Sequence, residues 1–85
     1  MSIRVDLDTL PAAVEQQADV AYLLTVSGGE RVHAMAVVPS VRAGLVVCAA
    51  GATARANAAA RPAVTVLWPP RAPGRHTLLV DGTAT

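Results

Sequence analysis

Residues 52–70, ATARANAAARPAVTVLWPP, restrict the possible folds more than any other stretch of this chain. Alanine has the highest intrinsic helix propensity, so residues 54–60 are expected to be helical despite their short length. Pro62 cannot continue that helix and disfavours helical geometry at Arg61, which sets the stop there. The apolar run 63–68 begins at once and is halted by Pro69-Pro70, so a strand follows the helix directly. A small-residue turn at 51–53 opens the helix. The first N–H groups of a helix lack intrahelical partners and carry the positive end of its dipole, so the turn can hold a phosphate. Arg55, in the first turn, brings a guanidinium to the same place.

The remaining elements are short apolar runs separated by turn residues. Asp8 or Thr9 can cap a helix over about 10–17 that carries Pro11 in its first turn; Leu7, Leu10, Val14 and Ala18 share one face of it. Such a helix would serve as a lid over one end of a sheet. Residues 21–26 (AYLLTV) and 31–38 predict a hairpin across Ser27-Gly28-Gly29-Glu30. In its second strand Arg31, His33, Met35 and Val37 share one face and Val32, Ala34, Ala36 and Val38 the other, and Pro39 ends it. GLVVCAA (44–50) is apolar on both faces and predicts a central or barrel strand. A final strand is expected over 77–85, with a bulge or kink at Asp81-Gly82. Helix, three strands, helix, two strands is an order rich in hairpins. It predicts a mainly β fold with short helices (α+β), an antiparallel sheet closed into a barrel. The chain is read as one domain over 1–85, a helical segment (1–19) followed by barrel strands with one inserted helix (20–85).

With 53% hydrophobic and 15% charged residues the chain should fold rather than stay disordered. It has 85 residues, no Phe, one Tyr and one Trp, so its core must come from Val, Leu and Ala. At roughly 25 cal/mol per Å² such a core is marginal, and a homodimer is expected to relieve the shortage. The net charge is +1, and seven arginines are scattered from Arg4 to Arg75 with no basic stripe, which argues against nucleic-acid binding. Cys48 is the sole cysteine, so an intrachain disulfide is excluded. The polar, acidic opening lacks the apolar run of a signal peptide, and no segment reaches the roughly 20 apolar residues of a membrane helix. A soluble, cytoplasmic protein is expected.

Most catalytic chemistries find no footing. His33, Cys48 and His76 show no metal-ligand spacing, the carboxylates show no pairing, and no serine has a nucleophile-elbow context. There is no Walker A loop and no GxGxxG. Arg55 reads as a phosphate ligand or as a solvated arginine on an alanine-rich helix. Thr53 reads as a helix cap or a ligand, and Asn57 as a support for the turn or an exposed polar residue. His33 suits a hydrogen-bonded strand position as well as a ligand contact. Met35 suits core filling, Cys48 a buried inert thiol and Trp68 packing or an interface.

Four segments in order carry a resemblance: AYLLTVSGGERVHAMAV, GLVVCAA, TARANAAARPAVTVLWPP and TLLVDGTAT. Together they resemble the N-terminal half of the pyridoxamine 5′-phosphate oxidase-like family, the FMN-binding split β-barrels. The resemblance implies an antiparallel split β-barrel, here apparently truncated, that forms a homodimer with flavin at the subunit interface; some relatives use a deazaflavin coenzyme instead. Carried over by position, His33 and Met35 fall on the strand lining the isoalloxazine, and Ala49 and Ala50 where backbone approaches the flavin. Thr53, Ala54, Arg55 and Asn57 fall on the phosphate turn and early helix. Many members have Ser-Arg-Lys at that turn where this chain has Ala54-Arg55-Ala56, which leaves Arg55 as its one cation and predicts lower affinity. The expected function is an FMN-binding oxidoreductase. The flavin would carry the redox chemistry, so no catalytic residue is named. The alternative is a non-catalytic split-barrel domain for dimerisation or ligand binding.

Overall fold

The computed structural model describes residues 9–85. Asp8 as a cap and Leu7 on the first helix face lie outside the described residues. Helix α1 spans Leu10–Glu15, with Thr9 at its N-cap position and Pro11 in its first turn. It is two residues shorter than expected because Gln17 leaves the helix to bridge Pro70. Strands β1 (Ala21–Val26) and β2 (Val32–Val37) form the expected hairpin, paired antiparallel from Ala21↔Val37 to Val26↔Val32. Glu30 takes a positive φ of 61° in the turn between them.

The segment expected to form a central strand is instead half of a separate ribbon. Strand β3 (Ser40–Arg42) pairs antiparallel with β4 (Leu45–Val47). The two-residue loop between them has positive φ at both Ala43 (49°) and Gly44 (76°), the geometry whose twist matches a right-twisted hairpin. Leu45 and Val47 stand exposed while Val41, Val46 and Cys48 pack against the core. Being apolar on both faces therefore reflects a ribbon that covers the core with one face, not a buried strand.

Helix α2 (Ala52–Ala60) begins two residues earlier than expected and closes at Arg61, ahead of Pro62. Strands β5 (Ala63–Trp68) and β6 (Leu78–Thr83) complete the chain. Their ladder runs unbroken from Ala63↔Thr83 to Trp68↔Leu78, so Asp81-Gly82 forms no bulge. Thr65 donates its hydroxyl proton to the Asp81 carboxylate across that ladder, and Gly82 opposite Val64 fits the pleat without an extra residue.

The protein is thus mainly antiparallel sheet with two short helices. The large sheet has the order β2-β1-β5-β6, with β2 and β6 at its edges. No ladder among the described residues joins it to the β3-β4 ribbon, so the hydrogen-bonded sheet is open, not closed into a barrel. Period-two alternation gives the large sheet two distinct faces. The inner face carries Ala21, Leu23 and Thr25 of β1, Val66 and Trp68 of β5, and Val37 of β2, all buried. Ala54 of α2 is fully buried against them, its methyl group letting the helix backbone come close. The opposite face is open to solvent at Val32, Tyr22 and Leu79, which are 70%, 40% and 59% exposed.

One polar anchor ties the start of the chain to the residues after β5. Gln17 is buried, and its side-chain amide donates to the carbonyls of Trp68 and His76, each at 3.0 Å. Alongside it the Ala18 N–H donates to Pro69 O at 2.9 Å. Arg71 adds two donated bonds to the Glu15 carbonyl, at 3.2 and 3.0 Å. Its ion pair with Asp19, 3.7 Å apart and exposed at both ends, adds little. No helix among the described residues is long and apolar enough to cross a membrane.

Candidate functional site

Helix α2 is positioned by two contacts made to the inner face of the sheet. At its N-terminus the Gly51 N–H donates to Met35 Sδ at 3.3 Å. One and a half turns on, Asn57 Nδ2 donates to Thr25 Oγ1 at 3.2 Å. The helix therefore starts beside Met35 and carries Asn57 over Thr25, the cross-strand neighbour of His33.

Gly51 is the N-cap residue, in extended conformation (φ −72°, ψ 173°), with no side-chain capping bond and no acidic residue in the first turn. The first intrahelical bond runs from Arg55 N–H to Gly51 O at 3.0 Å, so the N–H groups of Ala52, Thr53 and Ala54 precede the helical ladder. Thr53 and Arg55 have exposed side chains in this turn, and Arg55 makes no ion pair among the described residues. The positive end of the helix, three leading N–H groups and one guanidinium meet here with no carboxylate on the same turn.

Beside this turn lies a shallow apolar depression of about 410 Å³ lined by Val20, Met35, Ala36, Val37, Val38 and Ala49. Met35 is shared: its sulfur meets Gly51 while its side chain lines the depression. A second depression of about 420 Å³ sits between α1 and Trp68, with Asp19 and Arg71 at its wall. It holds none of the residues that the resemblance places on a cofactor site.

The structure brings some of the expected site residues together and assigns others elsewhere. Met35 and Ala49 line one depression, and Thr53 and Arg55 stand at the adjoining helix start. Ala50 is half-buried against the core. Ala54 turns its side chain wholly into the core, so only its backbone N–H faces the turn. Asn57 holds the helix to β1 through Thr25 and is a tether of the site, not part of its surface. His33 is half-buried on the inner face, and its Nδ1 atom is buried with no hydrogen-bond partner among the described residues. Cys48 is half-buried, and the loss of solvent pushes its thiol pKa up, which keeps it protonated and inert near neutral pH.

Two residues that matter here were not among the expected ones. Gly51 offers the N–H that fixes Met35, and an added Cβ would meet that side chain at 3.6 Å. Thr25 is fully buried and accepts the Asn57 bond. A signal for Thr25 existed: it continues the buried series Ala21, Leu23, and a hydroxyl in such a series needs a partner. Thr25→Val keeps the shape but removes the acceptor. It is expected to lower stability by about 1 kcal/mol, read as a lower urea midpoint at unchanged slope. An unchanged midpoint would show that the tether contributes nothing.

Against known proteins, the chain is 42% identical over 91 aligned residues to an uncharacterized protein of Mycobacterium bovis. It is equally similar, 42% over 91 residues, to an uncharacterized protein of Mycobacterium tuberculosis. Each alignment takes in 95% of this chain and 63% of the relative, so the chain spans less than two thirds of the length of the curated relatives it matches. No family model matches the chain, and no solved structure matches it.

Proposed function

We propose that this chain binds FMN and serves as a flavin-dependent oxidoreductase. The observation that carries the reading is the contact between Gly51 and Met35, which sets an anion-accepting helix start against an apolar depression. FMN has the matching chemistry, a phosphate at one end and a flat apolar ring system at the other. The N–H groups leading into α2 and the Arg55 guanidinium would take the phosphate. Met35 and Ala49 would receive the ring. When bound, the flavin supplies hydride transfer. This chain's residues orient it, exclude water from its apolar side and hold its charge. A deazaflavin coenzyme carries the same recognition features and is the alternative cofactor. In this reading the protein works in the cytoplasm, where a lone thiol such as Cys48 stays reduced.

The test is an FMN titration followed by flavin fluorescence, with Arg55→Ala beside the parent. Saturable binding is expected in the parent. Loss of a charge-assisted contact of roughly 1.5–3 kcal/mol should weaken it about tenfold to a hundredfold in the variant. Equal affinities would remove Arg55 from the site, and no binding of FMN or deazaflavin would end the flavin reading. The open apolar face of the sheet favours a second reading, a non-catalytic domain for dimerisation or ligand binding. Turnover of bound flavin with a nicotinamide donor would decide against that one.

A further inference from the structure

We infer that the β3-β4 ribbon is a flap: it swings off the core as one unit while the four-stranded sheet and α2 stay folded, and so opens one wall of the depression beside Met35. The flap has a fixed point on either side. Val37 is held before it in the ladder opposite Ala21, and Gly51 is held after it by the N–H bond to Met35 Sδ. Between these points the ribbon is closed on itself by its own ladder, from Ser40↔Val47 to Arg42↔Leu45. Among the described residues no hydrogen bond or ion pair joins residues 40–47 to any other part of the chain. Neither the large sheet nor α2 has its backbone packed closely along β3 or β4. What attaches the ribbon is side-chain packing from Val41, Val46 and the adjoining Cys48, each half-buried.

That attachment is weak compared with the rest of the core. The buried cluster is built from Ala21, Leu23, Val37, Ala54, Val66 and Trp68, all of them on the large sheet or α2 and none on the ribbon. Leu45 and Val47 are already exposed in the closed form, so opening uncovers only the ribbon's inner face. Segments with few buried apolar contacts open at a lower free energy than the core they cover. The position of the ribbon gives its opening a consequence. Val38 and Ala49, the residues at its two roots, both line the depression, opposite the floor formed by Met35 and Val37. A molecule seated there touches sheet and flap together and therefore favours the closed form. Applied to FMN, this gating rests on the flavin reading; the opening itself does not.

Cys48, the sole thiol of the chain, rides on the flap and reports its opening in the unaltered protein. Its labelling is followed by mass with two reagents, small methyl methanethiosulfonate and bulky dithiobis(nitrobenzoate). Each rate is scaled to that of the urea-unfolded chain. Both reagents are expected to be slowed by the same factor, about tenfold to a thousandfold, because both wait for the flap. Low urea should raise the rates with a slope well below that of global unfolding followed by circular dichroism, since the ribbon is a small part of the surface. A slope equal to the global one overturns the flap, because the thiol is then reached only when the whole chain unfolds. Stronger protection against the bulky reagent than against the small one also overturns it, because the thiol is then attacked in place. FMN at about a hundred times its Kd should slow labelling by up to about a hundredfold, the ratio for binding to the closed form alone. FMN that binds by fluorescence yet leaves the labelling rate unchanged overturns the gating. If FMN does not bind, the flavin reading falls, while the urea slope and the pair of reagents still decide the flap.

Discussion

Replacing Trp68 with alanine is expected to bring the chain to the edge of unfolding at room temperature. Trp68 is 1% exposed and is the largest fully buried side chain, packed in one cluster with Ala21, Leu23, Val37, Ala54 and Val66. Truncating a buried tryptophan costs about 3–5 kcal/mol, the lost transfer energy plus the cavity left behind. At roughly 0.05–0.15 kcal/mol per residue, a chain of this length holds only about 4–13 kcal/mol in all. The neighbours are too small to close the gap, since Ala21 and Ala54 bring one methyl each. Urea unfolding followed by far-ultraviolet circular dichroism is the measurement, because the variant loses the chain's sole tryptophan. A midpoint within experimental error of the parent's would show that the core is organised around something else.

Gln17→Leu is expected to cost nearly as much, about 2–4 kcal/mol, although it exchanges a polar side chain for an apolar one of similar size. The buried amide donates to two carbonyls, that of Trp68 in a buried setting and that of His76 in a part-buried one. Without it the Trp68 carbonyl loses a donor where water does not readily enter, at about 1–3 kcal/mol, and the His76 carbonyl loses one at a smaller cost. The neighbouring Arg71 is the natural comparison. Its bonds to Glu15 and its pair with Asp19 are exposed, so Arg71→Ala should cost well under about 1 kcal/mol. Thermal midpoints of the two variants separate the cases. Equal losses would mean that burial is not what gives the Gln17 bonds their weight.

The same anchor shows where sequence reasoning stops. Strands β1 and β5 could be read to the residue because turn residues and prolines bracket clean apolar runs, and the end of α2 because Pro62 leaves little choice, though its start lies two residues earlier than expected. The hairpin faces followed from period-two alternation alone. Residues 44–50 could not be read in this way: an apolar run has the same pattern whether neighbours cover both its faces or one, and only tertiary packing leaves Leu45 and Val47 exposed. Strand β3 has three residues, too few for a period to show. The exposed positions of Thr53 and Arg55 in the first turn of α2 were legible from the helix start, whereas the contact of Met35 with Gly51 was not. Ala54 and Asn57 were read as belonging to the turn, yet their side chains serve packing and a tether, because helix rotation depends on what lies beneath it. Nothing local to Gln17 reveals partners 51 and 59 residues away.

The strand order also dictates how this chain must assemble in time. β1-β2 and β5-β6 each pair neighbours in sequence, and such hairpins can form on their own within microseconds. Joining them depends on the central ladder from Tyr22 to Leu67, which closes a loop containing β2, the ribbon and α2. The entropy of that closure is spent before the ladder returns any contact, so formation of the β1-β5 pairing is the expected slow step. Substitutions along the β1-β5 seam then act on the rate of folding, while those at the β2 and β6 edges act on the lifetime of the folded state.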